Sequence, residues 1–267
     1  MGEGQEPAAV AELSEIAAEA STCTRCRLAP TRTNVVFGVG NPAADLMFVG
    51  EGPGEQEDRQ GLPFVGRSGQ LLDRLVLEEM GLTRADLYIA NTIKCRPPGN
   101  RDPLPDEIES CWPYLEKQLE LIDPRVVVTL GNFATKLLLG TTEGISRLRG
   151  RTYPYRSGFL VPTFHPSAAL RGGGTVVAQM RADLVRAKEA MRAARPPRSQ
   201  ALPLVPPAPP GPTAKPAQPA QSAQPAKPAQ PTQSAQPAQS AQLSPSAQPA
   251  QPAPVVDGAG RGGQPLA

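Results

Sequence analysis

Histidine is almost missing from this chain of 267 residues: there is only His165. Long apolar runs are missing altogether, and without one of about 18 residues nothing in the sequence is expected to span a membrane. The first 24 residues hold five Glu and no Lys or Arg. They also lack an apolar signal core, so they do not read as an export signal, and a cytoplasmic protein is expected. Instead they read as an acidic amphipathic helix with Val10, Leu13, Ile16 and Ala17 on one face. From Arg195 to Ala267 there is no Phe, Trp or Tyr, yet 19 of the 33 prolines fall there. Units of Ala-Gln-Pro and Ser-Ala-Gln-Pro offer little to bury and cannot offset the entropy of ordering a backbone. Residues 195–267 are therefore expected to form a disordered Pro/Ala/Gln-rich tail. Residues 1–194 form the one foldable domain, long enough to bury about 70% of its unfolded surface.

The formal net charge of +2 conceals a division. The tail holds five basic residues and one acid, whereas residues 1–194 hold 22 basic and 24 acidic. Between Arg147 and Arg192 nine basic residues face only Asp183 and Glu189. Such a run is either a solvated face or a surface that contacts a polyanion.

Four apolar, β-rich runs each end in turn residues or a helical pattern. They are Asp45 to Val49 before Gly50, Leu87 to Ala90 before Asn91, Arg125 to Leu130 before Gly131, and Phe159 to Phe164 before His165. Between them Leu71, Leu72, Leu75, Val76 and Met80 recur at helical spacing, as do Phe133, Leu137 and Leu138. Near-continuous apolar strands alternating with helices predict an α/β fold with a parallel sheet of these four strands covered on both faces. In such sheets ligands bind beyond the carboxyl ends of the strands. Glu51, Asn91 and His165 each follow a predicted strand and are expected to share one crevice.

Cys23 and Cys26 form a Cys-x-x-Cys pair, and Cys95 and Cys111 complete the cysteines. Two thiolates three positions apart in a turn can point at one centre. With a single histidine available, the ligation is expected to be all sulfur, which suits tetrahedral zinc or an iron–sulfur cluster. Spacing does not separate the two.

Five segments then have to be read together: Gly50-Glu51-Gly52-Pro53-Gly54-Glu55-Gln56-Glu57-Asp58, Gly61 to Gly66 around Phe64, Asn91-Thr92-Ile93-Lys94-Cys95-Arg96-Pro97-Pro98, Asn100-Arg101, and His165-Pro166-Ser167-Ala168-Ala169-Leu170-Arg171. In order and without large gaps, from about Ala20 to Met191, they resemble the family 4 uracil-DNA glycosylases. The resemblance implies a three-layer α/β/α domain and a 4Fe-4S cluster on Cys23, Cys26, Cys95 and Cys111. It also implies hydrolysis of the N-glycosidic bond of uracil in DNA, releasing uracil and leaving an abasic site. The family commonly has Ala where this chain has Gly52. A related branch that becomes trapped covalently on uracil sites carries a longer basic insertion with a reactive histidine. Here the stretch after Cys95 is short and has no histidine, so trapping is not expected. A wider range of deaminated bases, or uracil-DNA binding without turnover, are the rival readings.

Each residue type suits a step of that chemistry. A flipped base needs an aromatic platform, for which Phe64 is the candidate, and a reader of its edge, for which Asn91 offers one donor and one acceptor. His165 is expected to donate to a uracil carbonyl oxygen as negative charge builds there. Glu51 is expected to stabilise the cationic sugar and orient water, with Gly52 and Pro53 letting the backbone approach the substrate. Glu57 and Asp58 are weaker candidates for ordering the loop. Arg96, Asn100, Arg101, Ser167 and Arg171 are the expected contacts to the DNA backbone. A monomer is expected, with the tail as a spacer or a tether for a protein partner.

Overall fold

The computed structural model describes residues 5–196. Of the tail expected at 195–267, all but the first two residues lie outside the described residues. Helix α1 (Gln5–Ser21) leads through an irregular segment to β1 (Val39–Gly40) and β2 (Leu46–Gly50). Then come α2 (Glu55–Gln60), α3 (Arg67–Met80), β3 (Tyr88–Asn91), α4 (Pro105–Ile122), β4 (Val126–Leu130), α5 (Asn132–Leu139) and α6 (Ile145–Leu148). The chain closes with β5 (Tyr153–Tyr155), β6 (Gly158–Thr163) and α7 (Pro166–Arg192).

The six strands form one sheet in the order β1-β3-β2-β4-β6-β5. Its centre is the parallel set β3-β2-β4-β6, the four strands that the apolar runs predict. The expected four-stranded sheet needs one correction, because β1 and β5 add short antiparallel strands at its two edges. They carry no long apolar run, and only half of their surface meets the core, so periodicity has little to report.

Alternation along the central strands sorts side chains into two cores. Leu46, Phe48, Ile89, Val126, Val128 and Val161 face α3 and α7, with Leu72, Leu75 and Leu184 packed on them. Met47, Val49, Ala90, Val127 and Leu160 face the opposite layer, with Leu115 and Leu119 of α4 and Leu13 of α1. The three-layer α/β/α arrangement follows, since each sheet face is apolar and must be covered. In α1 the buried face differs from the expected one. Leu13 and Ala20 are buried, Ile16 and Ala17 pack partly against the core, and Val10 is exposed.

Register decides where chemistry can occur. Gly50 pairs with Asn91 and Leu130 pairs with Thr163, so the carboxyl ends of all four parallel strands finish at one edge. No helix among the described residues is long and apolar enough to cross a membrane.

Candidate active site

The sheet edge brings together Glu51, Asn91, Phe64 and His165, four residues spread over more than a hundred positions. Asn91, the last residue of β3, is fully buried. A Cβ built on Gly50, its strand neighbour, would lie 2.4 Å from Asn91 Oδ1 and 2.7 Å from Phe64 Cζ. Only glycine fits there, and the Asn91 and Phe64 side chains meet over it. The Phe64 ring is 5.7 Å from the His165 ring, centroid to centroid, with the planes tilted by 37°. Asn91 Oδ1 has no hydrogen-bond partner among the described residues. A buried acceptor left unpaired is costly, which makes this oxygen the candidate partner for a ligand donor.

His165 caps α7. Its Nδ1 accepts from the Ser167 backbone N–H at 3.2 Å and lies 2.8 Å from the Ser167 hydroxyl. A backbone amide can only donate, so Nδ1 carries no proton and the neutral ring keeps its proton on Nε2. Burial, followed by the charge of Arg171, lowers the pKa of His165 to about 4, with Glu57 acting in the opposite direction. The imidazole is therefore a neutral donor through the physiological range. Ser167, expected at the DNA backbone, is engaged first in holding this ring.

Glu51 follows β2, and its carbonyl accepts from the Thr92 hydroxyl and from the Ile93 amide at 3.2 Å. That anchoring fixes the Glu51 backbone beside the start of the segment after β3. Burial, and then the nearby negative charge of Asp102, raise the carboxyl pKa to about 7. Asp102 is a neighbour that sequence reasoning missed, because nothing in the residue type marks it. Gly52 and Pro53 continue the turn, and a Cβ on Gly52 would press on Ile93 Cγ1 at 2.9 Å. Ile93 thus fills the space next to the position where the family commonly has Ala.

The loop-ordering roles of Glu57 and Asp58 have clear geometry. Glu57 Oε1 accepts from the amides of Val65 and Gly66, both at 3.0 Å. Buried Asp58 accepts from the Thr33 amide at 2.9 Å, tying the irregular N-terminal segment to α2.

The residues expected to contact DNA divide. Arg171 is exposed in the first part of α7, beside exposed Leu170, an apolar side chain that residue-type reasoning passed over. Arg96 Nε donates to Asn100 Oδ1 at 2.8 Å, bracing their loop. Arg101 is committed elsewhere, bidentate to the buried Glu107 that caps α4. The basic run from Arg147 to Arg192 is likewise partly internal: Arg149 pairs with buried Asp183, and Arg181 with Glu78 and Glu79.

Cys95 and Cys111 are buried, and Cys23 and Cys26 half-buried. Burial pushes the Cys95 thiol up to about 12 and raises those of Cys26 and Cys111. Cys23, Cys95 and Cys111 each interact electrostatically with Cys26, and Cys111 also with Cys23, so the four sulfurs share one locus. Arg32 donates to Cys95 Sγ at 3.6 Å and the Lys94 amide to Cys111 Sγ at 3.4 Å. Among the described residues no three Cys, His, Asp or Glu side chains converge tightly enough for a single ion.

Comparison with known proteins agrees with this geometry. The family model described as "Uracil DNA glycosylase superfamily" matches residues 37–188. The type-4 uracil-DNA glycosylase of Thermotoga maritima is 48% identical over 163 residues, covering 60% of this chain and 84% of that protein. That of Saccharolobus solfataricus is 47% identical over 166 residues (59% and 77%), and that of Sulfurisphaera tokodaii 45% over 166 (59% and 76%). With a matching family model, several relatives covered over most of their length and Glu51, Asn91 and His165 at the expected sheet edge, the chain belongs to the uracil-DNA glycosylase superfamily, on its type-4 branch.

Proposed function

We propose that this chain removes uracil from DNA by hydrolysing the N-glycosidic bond, so that base excision repair begins at the abasic site left behind. The observation that carries the site assignment is the unpaired, buried Asn91 Oδ1 against the Phe64 ring. An acceptor fixed there complements the imide N–H of uracil and opposes the ring nitrogen of cytosine, which is itself an acceptor. The base enters by flipping out of the stack and lies on Phe64. Leu170, an exposed apolar side chain next to Arg171, is proposed to act as a wedge in the gap left behind.

His165 Nε2–H donates to a uracil carbonyl oxygen. As the bond from C1′ to N1 breaks, its electron pair goes to uracil, and this donor stabilises the growing negative charge. The Glu51 carboxylate faces the cationic sugar and orients the water whose oxygen bonds to C1′; the carboxylate takes the proton this water loses, and the departing uracil anion ends as neutral uracil by taking up one proton. Arg171, Arg96 and Asn100 are proposed to contact phosphates, and Arg101 serves the loop through Glu107.

The four cysteines are proposed to hold a 4Fe-4S cluster. When bound it supplies a cross-link between the segment after α1 and the stretch from Cys95 to Cys111, and the bond-breaking chemistry belongs to the crevice. A cytoplasmic monomer whose tail acts as a spacer or partner tether completes the proposal.

The test is release of free uracil from a labelled single-stranded oligonucleotide, run beside otherwise identical hypoxanthine and thymine substrates. Uracil should be released and thymine retained, while release of hypoxanthine would establish the broader specificity. Glu51→Gln and His165→Ala should each lower the rate by about 100-fold or more with folding preserved. Parent rates in both variants would overturn the site assignment.

A further inference from the structure

We infer that Arg84 is a positioning residue for base excision, acting through the main chain of Phe64; the inference rests on the reading of Phe64 as the platform for the flipped base. Arg84 opens the short 3-10 turn Arg84–Asp86 before β3 and lies outside every motif read above. Its guanidinium grips two successive carbonyl groups. One amino group donates to Pro63 O at 3.0 Å and the other to Phe64 O. Its Nε donates to Asp73 Oδ1 on α3 at 2.9 Å, which fixes the plane of the fork.

Phe64 needs that grip. Its φ is 53°, in the left-handed region that an aromatic side chain rarely adopts unless its surroundings impose it. Three groups impose it here. Arg84 holds the carbonyl from one side, and Glu57 holds the next two amides from the other. Gly69 of α3 lies so close beneath that a Cβ there would fall 1.6 Å from the Phe64 oxygen. In this conformation the ring reaches over Gly50 towards His165. Without Arg84 the residue is released towards ordinary φ values, and the ring leaves the position from which it can stack on a base. A lysine at 84 would keep the charge but lose the two-pronged planar bond.

The experiment is a double-mutant cycle on the full chain as purified, using Arg84→Gln, Arg84→Lys, Phe64→Leu and the combination of Arg84→Gln with Phe64→Leu. Single-turnover release of uracil and the thermal midpoint are measured for each. If Arg84 acts through Phe64, Arg84→Gln and Phe64→Leu should each lower the rate about tenfold or more, and the double variant should be no slower than Phe64→Leu alone. Arg84→Lys should stay below the parent. Losses that multiply in the double variant, or a parent rate in Arg84→Gln or Arg84→Lys, would overturn the role of Arg84. A parent rate in Phe64→Leu would instead overturn the platform reading, and the inference with it. A general structural role predicts multiplying losses that follow the thermal midpoint, so non-additivity separates the two. Because Arg84 is part-exposed, its replacement does not open the core.

Discussion

Burial acts on Glu51 and His165 alike, by disfavouring whichever form is charged, and the two groups emerge with opposite shifts. The carboxyl rises to about 7 and the imidazole falls to about 4. Stabilising a cation needs an ionised carboxylate, so kcat/KM should fall about tenfold per pH unit below pH 7 and level off above it. Glu51→Gln should remove that limb, and no inflection should arise from His165 near its ordinary value. A pH profile of kcat/KM for parent and variant checks both. The same shift costs stability. A carboxyl whose folded pKa lies above its unfolded value of 4.5 favours folding fully only below about pH 4.5, and that contribution is lost as pH rises through 7. Glu51→Gln should therefore match the parent near pH 4 and exceed it at pH 8, by up to about 3 kcal/mol. Denaturation at the two pH values tests this. At this scale the sequence was readable in where it puts Glu51, Asn91 and His165, each at or just after the end of a parallel strand. It was silent on Arg84, which bonds two backbone carbonyls, and on the pairing of Arg101 with Glu107.

Elements set the distances on which those residues depend. The parallel strands were legible because they are buried on both faces and read as unbroken apolar runs. The edge strands β1 and β5 were not, since two or three residues with Pro or Gly leave no periodicity. Strand ends also explain why residues so far apart in sequence meet: the pairing of Gly50 with Asn91 fixes the Asn91 amide beside the turn that carries Glu51. A methyl at position 50 would strike both Asn91 Oδ1 and the Phe64 ring. Gly50→Ala should therefore lower uracil release by about 100-fold, the penalty for a displacement near 1 Å in a reacting geometry. Far-UV circular dichroism should stay at the parent spectrum, because the sheet itself needs no change. A rate within a few-fold of the parent would mean that Asn91 and Phe64 do not meet substrate over this strand end.

Across the whole molecule, the segment between α1 and β1 has little regular structure of its own, so its position depends on ties to other parts. Arg27 reaches Asp106, Asp58 holds the Thr33 amide, Arg32 reaches Cys95 and the Val36 amide reaches Lys94. At the other end Arg195 grips the Asp123 carboxylate at 2.7 Å and its carbonyl at 3.0 Å. Ending the chain after Pro196 should therefore keep the parent rate and thermal midpoint. Ending it after Ala194 should remove a part-exposed pair worth no more than about 1 kcal/mol, seen as a small fall in the midpoint. The cluster proposed at the cysteine locus would be a stronger tie, because Cys23 and Cys26 follow α1 whereas Cys95 follows β3 and Cys111 lies on α4. Half-buried Cys26 can be replaced with little change in packing, so Cys26→Ser separates loss of the cross-link from loss of core volume. That variant should lose bound iron and the visible absorption of thiolate ligation, and its thermal midpoint should drop by much more than in the shorter chain. Uracil release at low temperature should fall far less than in Glu51→Gln, because the crevice residues are on other elements. Full iron content in Cys26→Ser, or an unchanged midpoint after its loss, would remove the cluster from the account of how this layer is held.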